Sequence, residues 1–114
     1  MNHAEFVTLC GEFHRKEQEI LGWKESEYSS SSGNDRLENF KTVGSFLNIN
    51  PEEVCLCYLM KHLHSITLAV TGDRQYAWDW ETDGGEGLKQ RFVDAVNYLR
   101  LLAALLDERN RKSE

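Results

Sequence analysis

A chain of 114 residues carries one domain and lacks the length for two. Hydrophobic residues make up 40% and charged residues 28%, the balance of an ordinary globular protein, and one proline with eight glycines excludes collagen-like or proline-rich order. A net charge of −6 speaks against polymeric DNA or RNA, whose phosphates need an excess of Lys and Arg, and uncharged apolar runs such as Leu101 to Leu106 are far below the roughly 18 residues of a membrane span.

The first expected helix covers 3–21. Phe6, Leu9, Cys10, Phe13, Glu17, Ile20 and Leu21 recur at three and four residues with charged side chains between them, and Gly22 with Trp23 is read as its end. Its opening residues include His3 and Glu5 and no continuous apolar core, so no signal peptide is expected. The run Ser29-Ser30-Ser31-Ser32-Gly33 gives 25–34 the composition of a flexible linker. A second helix then starts at Asn34 or Asp35, either of which can accept from the free N–H groups of a first turn. Leu37, Phe40, Val43, Phe46 and Leu47 form its apolar stripe, and Asn48-Ile49-Asn50 closes it.

The third start is the clearest local signal: Asn50 as N-cap, Pro51 in the first helical position and Glu53 placed to complete a capping box. From Val54 to Val70 the helix is apolar most of the way round, which predicts a central helix buried on several sides and stopping at Thr71-Gly72. Residues 73–87 form a long acidic and aromatic connection, and no strand is expected anywhere. The fourth helix covers 86–110, with Leu88, Phe92, Ala95, Val96, Leu99, Leu102, Ala103 and Leu106 on one face and Arg109, Arg111 and Lys112 near the negative end of its dipole. The expected class is all-α: residues 1–114 form one helical domain, a four-helix antiparallel bundle. Its third and fourth helices carry more apolar surface than one small bundle covers, so a homo-oligomer is expected.

Three cysteines, Cys10, Cys55 and Cys57, cannot all pair within the chain and form no C-x-x-C, which reads as reduced thiols in a cytoplasmic setting. His62 and His64 are two apart, His3 and His14 lie on another helix, and the thiols complete no closed ligand set, so no metal and no cofactor are expected. There is no G-x-S-x-G, P-loop or G-x-G-x-x-G. Gly84-Gly85-Glu86-Gly87 reads as a hinge.

Two constellations remain. Lys61 and His64, three apart on a largely apolar helix, are costly to desolvate unless paired. Their expected partners are Arg91, Asp94, Asn97 and Tyr98 of the fourth helix, with Asp94 meeting Lys61 or His64. The set is either a polar seam that fixes helix register or a pocket for a small anion. Tyr76, Trp78 and Trp80 alternate with Asp79, Glu81 and Asp83; they are either a plug over the core or a surface for a basic protein partner.

Tyr28, the run Arg36-Leu37-x-Asn39-Phe40, the run Lys61-His62-Leu63-x-Ser65-Ile66 and the run Asp94-Ala95-Val96-Asn97-Tyr98-Leu99 together resemble a family of small phage-encoded helical proteins of unknown function. The resemblance covers most of 28–106. That family is distantly similar to the all-α nucleoside triphosphate pyrophosphohydrolases of MazG and dUTPase type, whose bundles bind nucleotides. MazG-type enzymes hold Mg²⁺ with E-x-x-E on one core helix and E-x-x-D on another, since hard cations need clustered oxygens. Here Lys61-x-x-His64 and Arg91-x-x-Asp94 stand at those places, and Asp94 alone is a carboxylate.

The resemblance thus implies a non-catalytic protein that binds a nucleotide or nucleotide-like anion. Lys61, His64 and Arg91 would touch phosphate, and Asp94 and Asn97, beside Tyr98, would orient them or read a base or ribose. Its setting would be the cytoplasm of an infected bacterium and its role the sequestration of a host immune signal. Two alternatives stay open: a Mg²⁺-dependent pyrophosphohydrolase drawing on Glu38, Glu52, Glu53 and Asp94, and an inhibitor acting through Tyr76, Trp78 and Trp80.

Overall fold

The computed structural model describes residues 1–28 and 35–112, the side chains of 23–28 excepted. Among them the chain is all-α apart from a minimal ribbon: α1 (His3–Tyr28), α2 (Glu38–Leu47), α3 (Pro51–Thr71), β1 (Glu81–Thr82), β2 (Gly85–Glu86) and α4 (Leu88–Lys112).

Asn2 and Glu5 open α1 with a reciprocal cap. The Glu5 N–H donates to Asn2 Oδ1 at 2.8 Å, and the Asn2 N–H donates back to Glu5 Oε1 at 3.4 Å. The helix passes through Gly22 and Trp23, its expected end, and continues to Tyr28. A glycine inside a helix costs about 1 kcal/mol relative to alanine, which weakens a helix without stopping it. The expected linker is therefore helical over 25–28, and 29–34 lies outside the described residues.

Asp35 serves the turn before α2 instead of capping the helix. Its Oδ1 accepts from the Leu37 N–H at 2.9 Å, and the helix begins at Glu38 with no side-chain cap. Asn48, in the left-handed region at φ 58°, ends α2, and the Ile49 N–H bonds the Gly44 carbonyl at 2.9 Å. The chain folds back so tightly there that a Cβ on Gly44 would sit 2.8 Å from the Ile49 carbonyl oxygen. Pro51 then occupies the first turn of α3 as expected, but the Asn50 side chain makes no cap bond. Its main-chain carbonyl instead accepts from Glu53 and Val54, at 3.0 and 3.3 Å.

Contacts between helices fix their directions. Glu52 approaches Arg109 at 4.0 Å, Cys55 Sγ donates to the Tyr98 carbonyl at 3.5 Å, and Arg91 reaches Ser65, so α3 and α4 run antiparallel. Glu12 pairs with Lys89 while Glu17 meets Asn97 and Arg100, so α1 runs beside α4 in the same sense. The expected antiparallel order thus holds for α3 and α4 and not for α1 and α4. The core is Leu37, Phe40, Val54, Cys55, Leu101 and Leu105, flanked by Val43, Tyr58, Tyr98 and Leu102.

Two burial expectations need correction. Only Val54, Cys55 and Leu59 of α3 are buried, because α2 and α4 lie against one side of it and, among the described residues, nothing covers the other. By length and composition α3 is apolar enough to cross a membrane. On α4 the buried face is Gln90, Val93, Asp94, Ala95, Asn97, Leu101 and Leu105, while Leu99, Ala103 and Leu106 of the expected stripe face outward.

The 73–87 connection is ordered by α4 itself. β1 and β2 pair antiparallel through Glu81–Glu86 and Thr82–Gly85, a short hairpin where no strand was expected. The carbonyls of Ala77, Asp79 and Trp80 accept from the N–H groups of Leu88, Lys89 and Gly87 at 2.9–3.1 Å, satisfying donors at the start of α4. Gly87 sits so close to Asp79 that a Cβ would lie 2.0 Å from its carbonyl oxygen, so the position requires glycine.

Candidate functional site

A cleft of about 710 Å³ opens between α3 and α4, lined by Tyr58, Met60, Lys61, His62, His64, Ser65, Arg91 and Tyr98. The volume lies within the range of small-molecule sites, roughly 300–1,000 Å³. Helical spacing presents its α3 wall: Tyr58, Lys61, His62 and Ser65 stand at i, i+3, i+4 and i+7, one surface of a 3.6-residue helix. From α4, Arg91 and Tyr98 are seven apart and return to nearly the same direction.

The cleft is basic. No Asp or Glu is among its lining residues. Elsewhere on α4, Lys89, Arg100, Arg109, Arg111 and Lys112 each meet a carboxylate. Lys61 and Arg91 meet none among the described residues. Arg91 Nη1 donates weakly to Ser65 Oγ at 3.4 Å, and its guanidinium lies 5.6 Å from the Tyr76 ring centroid. Its Nε is buried with no hydrogen-bond partner among the described residues. Arg74 lies 5.5 Å from the centroid of the same Tyr76 ring.

The floor is aromatic. His62 stacks on Tyr98 with centroids 5.2 Å apart and planes 23° from parallel, and Tyr58 stacks on Tyr98 at 5.9 Å and 25°. Cations beside stacked rings can hold a charged group and a planar one together.

Four of the expected ligand residues therefore share one site: Lys61, His64, Arg91 and Tyr98. Asp94 and Asn97 do not reach it. They are 3% and 5% exposed and belong to a polar layer under α1. Asp94 accepts from Gln90 Nε2 at 3.0 Å, and the Asn97 side-chain amide donates to the Glu17 carbonyl at 3.3 Å. Asp94 thus pairs with neither Lys61 nor His64. Sequence reasoning passed over Tyr58 and Ser65 as site residues; their spacing from Lys61 was the available signal.

The aromatic loop residues take separate places. Tyr76 has the guanidinium groups of Arg74 and of the cleft residue Arg91 near its ring, at 5.5 and 5.6 Å. Trp80 packs on α1, 5.2 Å from the Phe13 ring, with Nε1 donating to Glu12 at 3.2 Å and Lys16 and Lys89 over its ring. Trp78 lies between Phe13 and Phe92, each 6.1 Å away, and remains 54% exposed. Among the described residues no three His, Cys, Asp or Glu side chains come together in a way that could hold a metal ion. Glu38, Glu52, Glu53 and Asp94 accordingly make no common centre.

Comparison with protein-family models, curated proteins and solved structures found no match.

Proposed function

We propose that this protein binds a small phosphate-bearing anion of nucleotide type in the cleft between α3 and α4 and holds it without cleaving it. One observation carries the reading: Lys61 and Arg91 line the same cleft and meet no carboxylate among the described residues, while the other Lys and Arg side chains of these two helices do. Two cations lining one cleft repel, and an anion bound beside both relieves that cost. Arg91 suits the task because its planar guanidinium can present two parallel N–H donors to a phosphate. His64 adds a donor, and Tyr58, His62 and Tyr98 offer ring surface to a base. In an infected bacterium such a protein would sequester a nucleotide signal, a role that rests on the resemblance to phage-encoded helical proteins.

Calorimetry with a panel of linear and cyclic nucleotides tests the reading. Binding of at least one is expected, abolished by Lys61→Ala or Arg91→Ala and retained by Arg111→Ala at the far end of α4. No heat from any nucleotide in the panel would overturn it. Incubating the bound nucleotide with Mg²⁺ or Mn²⁺ should leave it intact, and release of pyrophosphate would mean an enzyme.

A second reading rests on Trp78, more than half exposed beside Asp79 and Glu81. An aromatic flanked by acids suits a basic protein partner. If that surface is the functional one, charge reversal at Asp79 and Glu81 removes activity while nucleotide binding stays unchanged.

A further inference from the structure

The α3/α4 layer has a second side, opposite the cleft. On α3, Leu56, Met60, Leu63, Thr67 and Val70 follow one another in alternating steps of four and three. On α4, Phe92, Val96, Leu99, Ala103 and Leu106 do the same. This 3.5-residue spacing is the seam along which helices pack knobs into holes, and it is narrower than the apolar face of an ordinary surface helix. Both seams lie on one side of the layer. The core, α2 and the cleft take the side of Val54, Tyr58, Lys61 and Ser65 on α3 and of Arg91, Tyr98 and Leu105 on α4. Leu59, Ile66, Ala95 and Leu102 stand between that side and the seams, and Met60 alone belongs to both rims.

The seams are bare. Leu56, Met60, Leu63, Val70, Leu99 and Leu106 are each between 41% and 78% exposed. Together they leave on the order of 500 Å² of apolar surface, near the upper end for the largest patch of a monomer. With Thr67, Ala103 and the polar rim, the face approaches the roughly 800 Å² per partner of a stable interface.

We propose that this face binds a second copy of the chain, with α3 and α4 of each copy packing on those of the other as a four-helix bundle about a two-fold axis. An antiparallel helix pair with a heptad seam on both members is half of such a bundle. Its complement must be another pair with the same spacing and length, and an identical chain supplies one. The helices are matched, at 21 and 25 residues. No charged side chain interrupts either seam. A lipid surface fits poorly, since membrane-lying helices draw on an excess of Lys and Arg to meet anionic headgroups, whereas the chain has a net charge of −6. The proposal is independent of the cleft reading, and in the assembled pair both clefts open on the outer sides.

Sedimentation equilibrium on the full chain tests it, with circular dichroism to confirm folding. The wild type is expected at twice 13.2 kDa. Leu63→Glu and Leu99→Glu are each expected to give a folded monomer, while Phe46→Glu, exposed on α2 and off this face, stays dimeric. Should either glutamate unfold the chain, Leu63→Ala combined with Leu99→Ala must weaken association by about tenfold or more. A wild type that is monomeric throughout, a dimer that both seam substitutions leave intact, or a monomer that partitions onto zwitterionic lipid vesicles overturns the proposal.

Discussion

The Asn97 side-chain amide donates to the Glu17 main-chain carbonyl 80 residues away in sequence, at 3.3 Å. That bond takes Asn97 out of the cleft and makes it part of what fastens α1 to α4. Glu17 itself is buried and bonded to Arg100 at 3.1 Å, so the α1/α4 contact is built on polar groups where the α3/α4 contact is built on apolar ones.

A separation of effects follows. Asn97→Ala removes this buried bond between α4 and α1, which costs about 0.5–1.5 kcal/mol. Denaturant midpoints should fall accordingly, while nucleotide affinity measured on the folded protein stays as in the wild type. Lys61→Ala should behave in the opposite way, losing affinity and keeping the midpoint, because Lys61 is exposed and its side chain has no ion-pair partner among the described residues to abandon.

Gly44 sets the fold-back between α2 and α3. Gly44→Ala pushes a methyl group to 2.8 Å from the Ile49 carbonyl and 3.3 Å from the Pro51 nitrogen, both main-chain atoms that cannot swing away. A loss of about 1–3 kcal/mol is expected, as for overpacking in a tight site. Gly11→Ala, with open space around it inside α1, should instead raise stability by about 0.5–1 kcal/mol. Thermal melts of the two variants side by side check the contrast.

Lys41 joins Asp35 at 2.6 Å and Glu108 at 2.5 Å, tying the start of α2 to the end of α4. Hydrogen bonding to Lys41 holds both carboxyls below their ordinary values, and Lys41 is raised in turn, first by Asp35 and then by Glu108. Depressed carboxyls stabilise the fold above their unfolded-state values, and the contribution is lost as the pH falls through the folded-state ones. Raised Lys41 contributes below its ordinary value and loses that as the pH rises past its folded-state one. All three groups are about a third or more exposed, so the sum is small, up to about 1 kcal/mol. Stability of the wild type minus that of Lys41→Met should therefore be greatest between the two ranges and shrink in acid.

The three thiols should divide by accessibility. Burial pushes Cys55 up to about 11, keeping it protonated and inert at neutral pH, while Cys10 and Cys57 are exposed. A chromogenic disulfide reagent should titrate two thiols per native chain and three in denaturant.

The helices were legible because their periodicity is long and their punctuation local: Pro51 and Gly72 bound α3 as read. The buried face of α4 was not, because the helix has two faces that can each be buried. The more apolar one, through Phe92, Leu99 and Leu106, drew the expectation, while α1, α2 and α3 cover the other. The same geometry explains the half-correct site. Each three-residue step from Arg91 to Asp94 to Asn97 turns the side chain about 60° further around the helix, whereas seven residues bring Tyr98 back to within about 20°. A hairpin of two-residue strands is too short to show alternation, and it is held by α4 more than by its own pattern.

The attachment of α1 has a kinetic consequence. It meets the rest of the described chain chiefly along one flank of α4, through the Glu17 and Asn97 layer and the Trp78–Trp80 aromatics, while α3 and α4 share the core with α2. Opening α1 alone leaves the core shared by α2, α3 and α4 intact, so its amides should exchange with solvent deuterium through a local excursion of lower energy, and those of α3 and α4 only when the whole molecule unfolds. A protease that trims α1 without touching the α3/α4 pair would register the same division.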